Sequence, residues 1–172
     1  MRLSLRGRIA ALLIAGCALP CAQAGHAAAT QVAKVSATVA KPLTLVRVQD
    51  LDLGTIVLGP GSWSGATVGI SRGGVFSCGS ANVTCIGATR VAKYAVTGSN
   101  NQVIRITAPN VTLTNQSDPT KTLTLVVDSP GTITLPNSGN NGVQFSLGGS
   151  IGLSSSTAGG TYSGTFNVTV DY

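Results

Sequence analysis

Apolar and polar positions alternate with a period of two through most of the sequence after residue 34. Val35, Ala37 and Val39 alternate with Ser36, Thr38 and Ala40, the pattern of a strand with one buried face. Lys41-Pro42 interrupts it, because proline cannot donate to a sheet ladder. Leu43 and Leu45 resume the pattern, and Leu51 and Leu53 alternate with Asp50 and Asp52 before Gly54 and the apolar run TIVL. Further on, ATVGISRGGVFSC predicts a strand and a turn, and ATRVAKYAVTGS a strand with an irregularity. VTLTNQSDPTKTLTLVVDSP predicts strand, turn at Asp118-Pro119, strand. GTITLPNSGNNGVQFSLGGSIGLS adds short strands separated by Asn-Gly turn signals. The sequence stops on its clearest alternation, with Phe166, Val168, Val170 and Tyr172 interleaved with Asn167, Thr169 and Asp171. No helical periodicity follows residue 40. Many short strands with turn signals predict an all-β sandwich or barrel in one domain over 41–172.

Composition agrees. Of 172 residues, 43% are hydrophobic and only 9% charged, glycine is abundant at 22, and glutamate is absent. The length suffices for one sizeable core, and the balance favours strands joined by Gly, Asn and Pro turns.

The first residues have a different character. Arg2, Arg6 and Arg8 precede the apolar run IAALLIAGCALP, which gives way to Ala22-Gln23-Ala24. A basic segment, a short apolar stretch and an A-x-A site make a secretory signal peptide over 1–24. The run is shorter than the ~20 residues of a membrane span. A second pattern overlaps it: Ile14-Ala15-Gly16-Cys17 has the form of a lipoprotein signal, in which Cys17 would carry lipid. The expected destination is the periplasm in transit, then the cell surface or the exterior.

Export changes the charge. Without the three signal arginines, eight cations face five aspartates, a net charge of about +3. Those cations are scattered, with no aromatic-interleaved patch of the kind nucleic acid requires. Of the four cysteines, Cys17 and Cys21 fall in the signal region, while Cys78 and Cys85 fall in SCGSANVTC. An even pair in an oxidising compartment reads as a disulfide, and its small loop contributes about 2.5 kcal/mol.

Candidate chemistry is sparse. The only histidine, His26, lies beside the cleavage site, a poor place for a nucleophile relay. Asp50 and Asp52 share a strand face and offer at most a weak cation site, although outward carboxylates flanking Leu51 are ordinary on a half-buried strand. The glycines follow no phosphate-loop spacing. These absences predict a protein that is not an enzyme and needs no cofactor or metal. Trp63, the only tryptophan, sits in the loop GPGSWSG, as a ligand-stacking residue or, more commonly, a half-buried loop anchor.

Two segments carry a resemblance. KVSATVAKPLTLVRVQDLDLGTIV and AGGTYSGTFNVTVDY resemble the two ends of the bacterial fimbrial-like family catalogued as domain of unknown function 4402, and are similar in pattern to subunits of chaperone–usher pili. Gly159 fits the glycine that the pilin pattern places about fourteen residues from the end. Tyr172 is last, where that pattern has a tyrosine next to last. The cystine also departs from the common pilin placement.

The resemblance implies an immunoglobulin-like, pilin-type sandwich that lacks one strand. Its groove would be flanked by a terminal strand with Phe166, Val168, Val170 and Tyr172 facing the core. The extension 25–40 would be a donor strand, with Val35, Ala37 and Val39 filling the groove of a neighbouring copy or related subunit. A periplasmic chaperone would hold the groove beforehand, and an outer-membrane usher would assemble the fibre. Spore-coat-like secreted subunits share this logic. The alternative expectation is a self-contained secreted or lipid-anchored β-sandwich that acts as an adhesin and binds glycans, with Trp63 at the contact.

Overall fold

The computed structural model describes residues 30–136, 139 and 141–172. The expected signal peptide, with Cys17, Cys21 and His26, lies outside the described residues. The chain divides between Ala37 and Thr38. Before that division, residues 30–37 belong to no strand and are all exposed.

The second part is all-β. Its strands are β1 (Thr44–Gln49), β2 (Thr55–Leu58), β3 (Ala66–Ile70), β4 (Phe76–Cys78), β5 (Val83–Ile86), β6 (Ala92–Thr97), β7 (Gln102–Thr107), β8 (Val111–Asn115), β9 (Thr122–Asp128), β10 (Thr132–Leu135), β11 (Val143–Leu153), β12 (Tyr162–Ser163) and β13 (Thr169–Asp171). Each ladder is antiparallel. The largest sheet runs β1-β6-β11-β9-β8-β12, with β3 on β11 and β4 on β3. A second sheet is β10-β7-β13, and β2 pairs with β5 in a third. The arrangement is a sandwich whose main sheet curls into a half-barrel.

The curl originates in β11. Its first half pairs with β6, and from Gly148 onward it pairs with β9 and β3. A Cβ at Gly148 would collide with the carbonyl oxygen of Ile70 and lie 2.5 Å from the amide nitrogen of Arg72. Only glycine lets the β3 turn approach so closely. The sequence pattern over 131–154 predicts short strands separated by Asn-Gly turns. After those turns the structure has one 11-residue strand, which runs through Gly148 and Gly149 and changes partners there.

Burial forms two clusters. One gathers Val96, Ile104, Leu135 and Leu147, all fully buried, with Tyr94 stacked on its cross-strand partner Phe145 at a centroid distance of 5.6 Å. The other gathers Val68, Leu125, Ile151 and Leu153. Leu51, Val127 and Phe166 pack against both, so the clusters form one interior. Fully burying side chains of this size contributes roughly 1.5–3 kcal/mol each.

Candidate functional site

The segment that ends the sequence lies along an open flank of the sandwich. Over 169–171 it is the short strand β13, in register Thr169↔Thr107, Val170↔Ile106, Asp171↔Arg105 with β7. Among the described residues β13 has no second ladder partner, so its other edge offers unpaired backbone groups. The sequence-predicted alternation is present: Phe166, Val168 and Val170 are half-buried against the core, while Asn167, Thr169 and Asp171 are exposed.

Tyr172 departs from the expectation. The residue is 49% exposed and is not among those packed on the core clusters. Its hydroxyl accepts from the Ser99 amide at 2.8 Å and donates to the Lys41 carbonyl oxygen at 2.5 Å. The Lys41 amide donates in turn to Ser99 Oγ at 2.6 Å.

Among the described residues β1 is likewise an edge strand, paired only with β6. A groove of about 730 Å³ opens beside Arg47 at the end of β1 and the segment before β13, and stops at Phe166. Leu51, Leu53, Ile56 and Leu58 line one wall, residues 157–166 line the other, and Leu125, Ile151 and Leu153 also line it. The cavity therefore exposes aliphatic side chains of the interior.

Both walls are fastened. Asn115, the single buried polar residue among those described, donates through Nδ2 to the Gly159 carbonyl oxygen at 3.0 Å. Its Oδ1 accepts from the amides of Ser117 and Asp118. The Tyr162 hydroxyl donates to the Ala158 carbonyl at 2.8 Å, and the Gln116 amide to the Thr161 carbonyl at 2.8 Å. On the opposite wall Ile56 pairs with Cys85, and Cys85 forms the disulfide with Cys78. Asn115 is the residue that sequence reasoning misses. Its signal is the string NQSDP, where an asparagine ending an alternating strand stands ready to accept from the following turn.

Charge gathers only at the rim. Arg47 pairs with Asp50 at 2.7 Å, an exposed ion pair of small energetic value. The Asp52 carboxylate accepts from the Gly54 amide at 2.8 Å, an Asx-type turn. Neither aspartate joins a third ligand, and no cluster of three or more metal-ligating side chains occurs among the described residues. Tyr94 lies on the groove, where burial pushes its phenol above the usual value of 10.0; Arg47 opposes this and Asp50 reinforces it. Trp63 anchors its loop: Nε1 donates to the Gly59 carbonyl at 3.1 Å and the ring packs on the second cluster. Among the described residues no helix is long and apolar enough to cross a membrane.

The remaining sequence-predicted residues lie before β1. Residues 30–42 form no strand, and each is exposed, with Val35 at 90% and Val39 at 91%. The alternation over 35–40 thus yields no strand, since a strand needs a ladder partner and these residues pair with none of those described. What the site offers is aliphatic surface and free main-chain groups along a strand edge, a surface suited to receiving an extended segment.

The family described as Domain of unknown function (DUF4402) matches residues 43–172. No curated protein and no solved structure matches the sequence.

Proposed function

The chain belongs to the family described as domain of unknown function 4402, and from that premise we propose that it is a structural subunit of a surface fimbria, or of a related secreted coat, assembled by donor-strand exchange. The domain is read as an immunoglobulin-like sandwich short of one strand. The extension of one copy, around Val35, Ala37 and Val39, supplies that strand to the next.

One observation carries this reading. The same chain holds an alternating segment whose valines are about nine-tenths exposed and a terminal strand whose outer edge is unpaired among the described residues. Exposed aliphatic residues in regular alternation have no role on a solvated tail. Placed in a groove, Val35 and Val39 would each contribute roughly 1.5–3 kcal/mol, and each main-chain hydrogen bond about 1 kcal/mol more. Ala37 would suit a shallow point between them. Contacts of this type are heterologous, joining the extension of one subunit to the edge of another, so they build open fibres. The reading further takes the chain to be exported and met by a periplasmic chaperone and an outer-membrane usher. It assigns no catalytic role and no cofactor.

Deleting residues 30–40 tests the reading. Sedimentation should show multimers for the exported chain and none for the deletion, and a synthetic peptide of residues 30–41 should bind the deleted form. Multimers that persist without residues 30–40 would sink it.

A further inference from the structure

The hydrogen bonds among Lys41, Ser99 and Tyr172 form a closed set. The phenol accepts from the Ser99 amide and donates to the Lys41 carbonyl, and Ser99 Oγ accepts from the Lys41 amide. Both backbone polar groups of Lys41 are thereby used, although Lys41 lies in no strand. Gly98 packs directly against this set. A Cβ there would lie 2.7 Å from the Tyr172 hydroxyl, 2.7 Å from Leu43 Cδ2 and 3.2 Å from Leu135 Cδ1.

Position gives the set its consequence. Lys41 is the root of the exposed extension, and Pro42 and Leu43 separate it from β1. Tyr172 directly follows β13. The phenol thus joins the start of one edge strand to the end of another, in different sheets. An extension that paired with the free edge of its own β1 would have to turn back at residues 41–43 and form a hairpin with it. That turn needs Lys41 to change its backbone direction, and Pro42 can donate no hydrogen bond to it.

We infer that Tyr172, Ser99 and Gly98 form a clasp that fixes the backbone of Lys41 at the root of the extension, so that folding the extension back onto its own chain costs hydrogen bonds that donation to another copy does not. This rests on the donor-strand reading and adds the reason why assembly between molecules outcompetes self-filling. The clasp gives up hydrogen bonds if the chain turns back, whereas a strand donated by another copy leaves Lys41 in place.

The test uses the whole exported chain with Ala37→Cys combined in turn with Val168→Cys and Val170→Cys. Mild oxidation then reports whether residue 37 meets the terminal strand of its own molecule or of a neighbour, read as internally cross-linked monomer against a ladder on a non-reducing gel. The parent pairs should give the ladder. Adding Tyr172→Phe, which keeps the ring and loses both hydroxyl bonds, should raise the ratio of internal to intermolecular cross-link at least about fivefold. Gly98→Ala, which displaces the phenol by bulk, should shift it the same way. An unchanged ratio in both variants, with ladders still formed, overturns the clasp and leaves donor exchange standing. Absence of any cross-link from residue 37 to the terminal strand overturns donor exchange and the clasp with it.

Discussion

Asn115 Nδ2 donates to the carbonyl oxygen of Gly159 at 3.0 Å, joining the end of β8 to a loop 44 residues away. The same side chain accepts from two amides of its own turn, Ser117 and Asp118. A buried amide so fully engaged is costly to truncate, because three backbone groups lose their partner at once. Asn115→Ala should destabilise the domain by about 2–3 kcal/mol, read as a lower urea midpoint with unchanged slope. Asn115→Asp keeps the acceptor but faces a carboxylate toward the Gly159 carbonyl, and should rescue nothing. A loss under about 0.5 kcal/mol for Asn115→Ala would show that the loop 157–161 is held by its other bonds.

The turn after Asn115 predicts a small acid dependence. The Asp118 carboxyl lies below its ordinary value of 3.8, chiefly because the Thr120 hydroxyl and then the Thr120 amide donate to it, with Lys121 assisting. A carboxyl depressed in the folded state stabilises above its unfolded value, and the contribution disappears as pH falls through the folded one. The stability difference between wild type and Asp118→Asn should therefore be constant well above pH 3.8 and shrink below it. A difference that grew on acidification would contradict the assignment.

Reducing Cys78–Cys85, whose partners are seven residues apart, should cost about 2.5 kcal/mol. The loss should be local first. β5 is joined to β4 by the disulfide and to β2 by its ladder, so amide exchange in β2 and β5 should accelerate before that in β11. Uniform acceleration across all strands would mean that the groove wall has no separate stability.

Much of this was legible in the residues. The turn at Asp118-Pro119 and its two strands follow from alternation and turn chemistry, and the alternating burial of 166–170 matches its pattern. Three features were hidden for physical reasons. The pattern gives only short strands where β11 runs for 11 residues, and Gly148 within it serves the close approach of Ile70 and Arg72, which no local rule reports. The groove joins residues 47–58 to 157–166, about a hundred positions apart, and only the curl of the main sheet brings them together. The bonding of Tyr172 was hidden too: period two says nothing of the Ser99 amide and the Lys41 carbonyl that its hydroxyl meets.

Val39→Lys separates folding from assembly. Val39 is 91% exposed, so the substitution should leave the thermal midpoint of a single domain unchanged, since exposed positions contribute within about 0.5 kcal/mol. Within a partner's groove the same lysine would bury a charge among aliphatic carbons, a cost of several kcal/mol. Multimers should be lost while circular dichroism is preserved. Ala37→Leu, too large for a shallow site, should weaken assembly less. Full assembly of Val39→Lys would place the contact between copies somewhere other than this segment.

Phe166 stands where the groove wall becomes the terminal strand, and it packs on both core clusters. Leu51 does the same from the opposite wall. If these two side chains brace the walls against each other, their removals cannot be independent. Phe166→Ala should cost about 2–3 kcal/mol, below the range for a fully buried phenylalanine because the ring is half-buried. Leu51→Ala should cost about 2 kcal/mol. The double variant should fall short of the sum by about 0.5–1 kcal/mol, the coupling expected of residues sharing one cavity. Strict additivity in urea unfolding would mean that the walls stand separately, each held by its own fastening, Asn115 on one side and the disulfide on the other. The groove would then be open in the isolated domain with nothing bridging it, and a donated strand would meet no brace to displace.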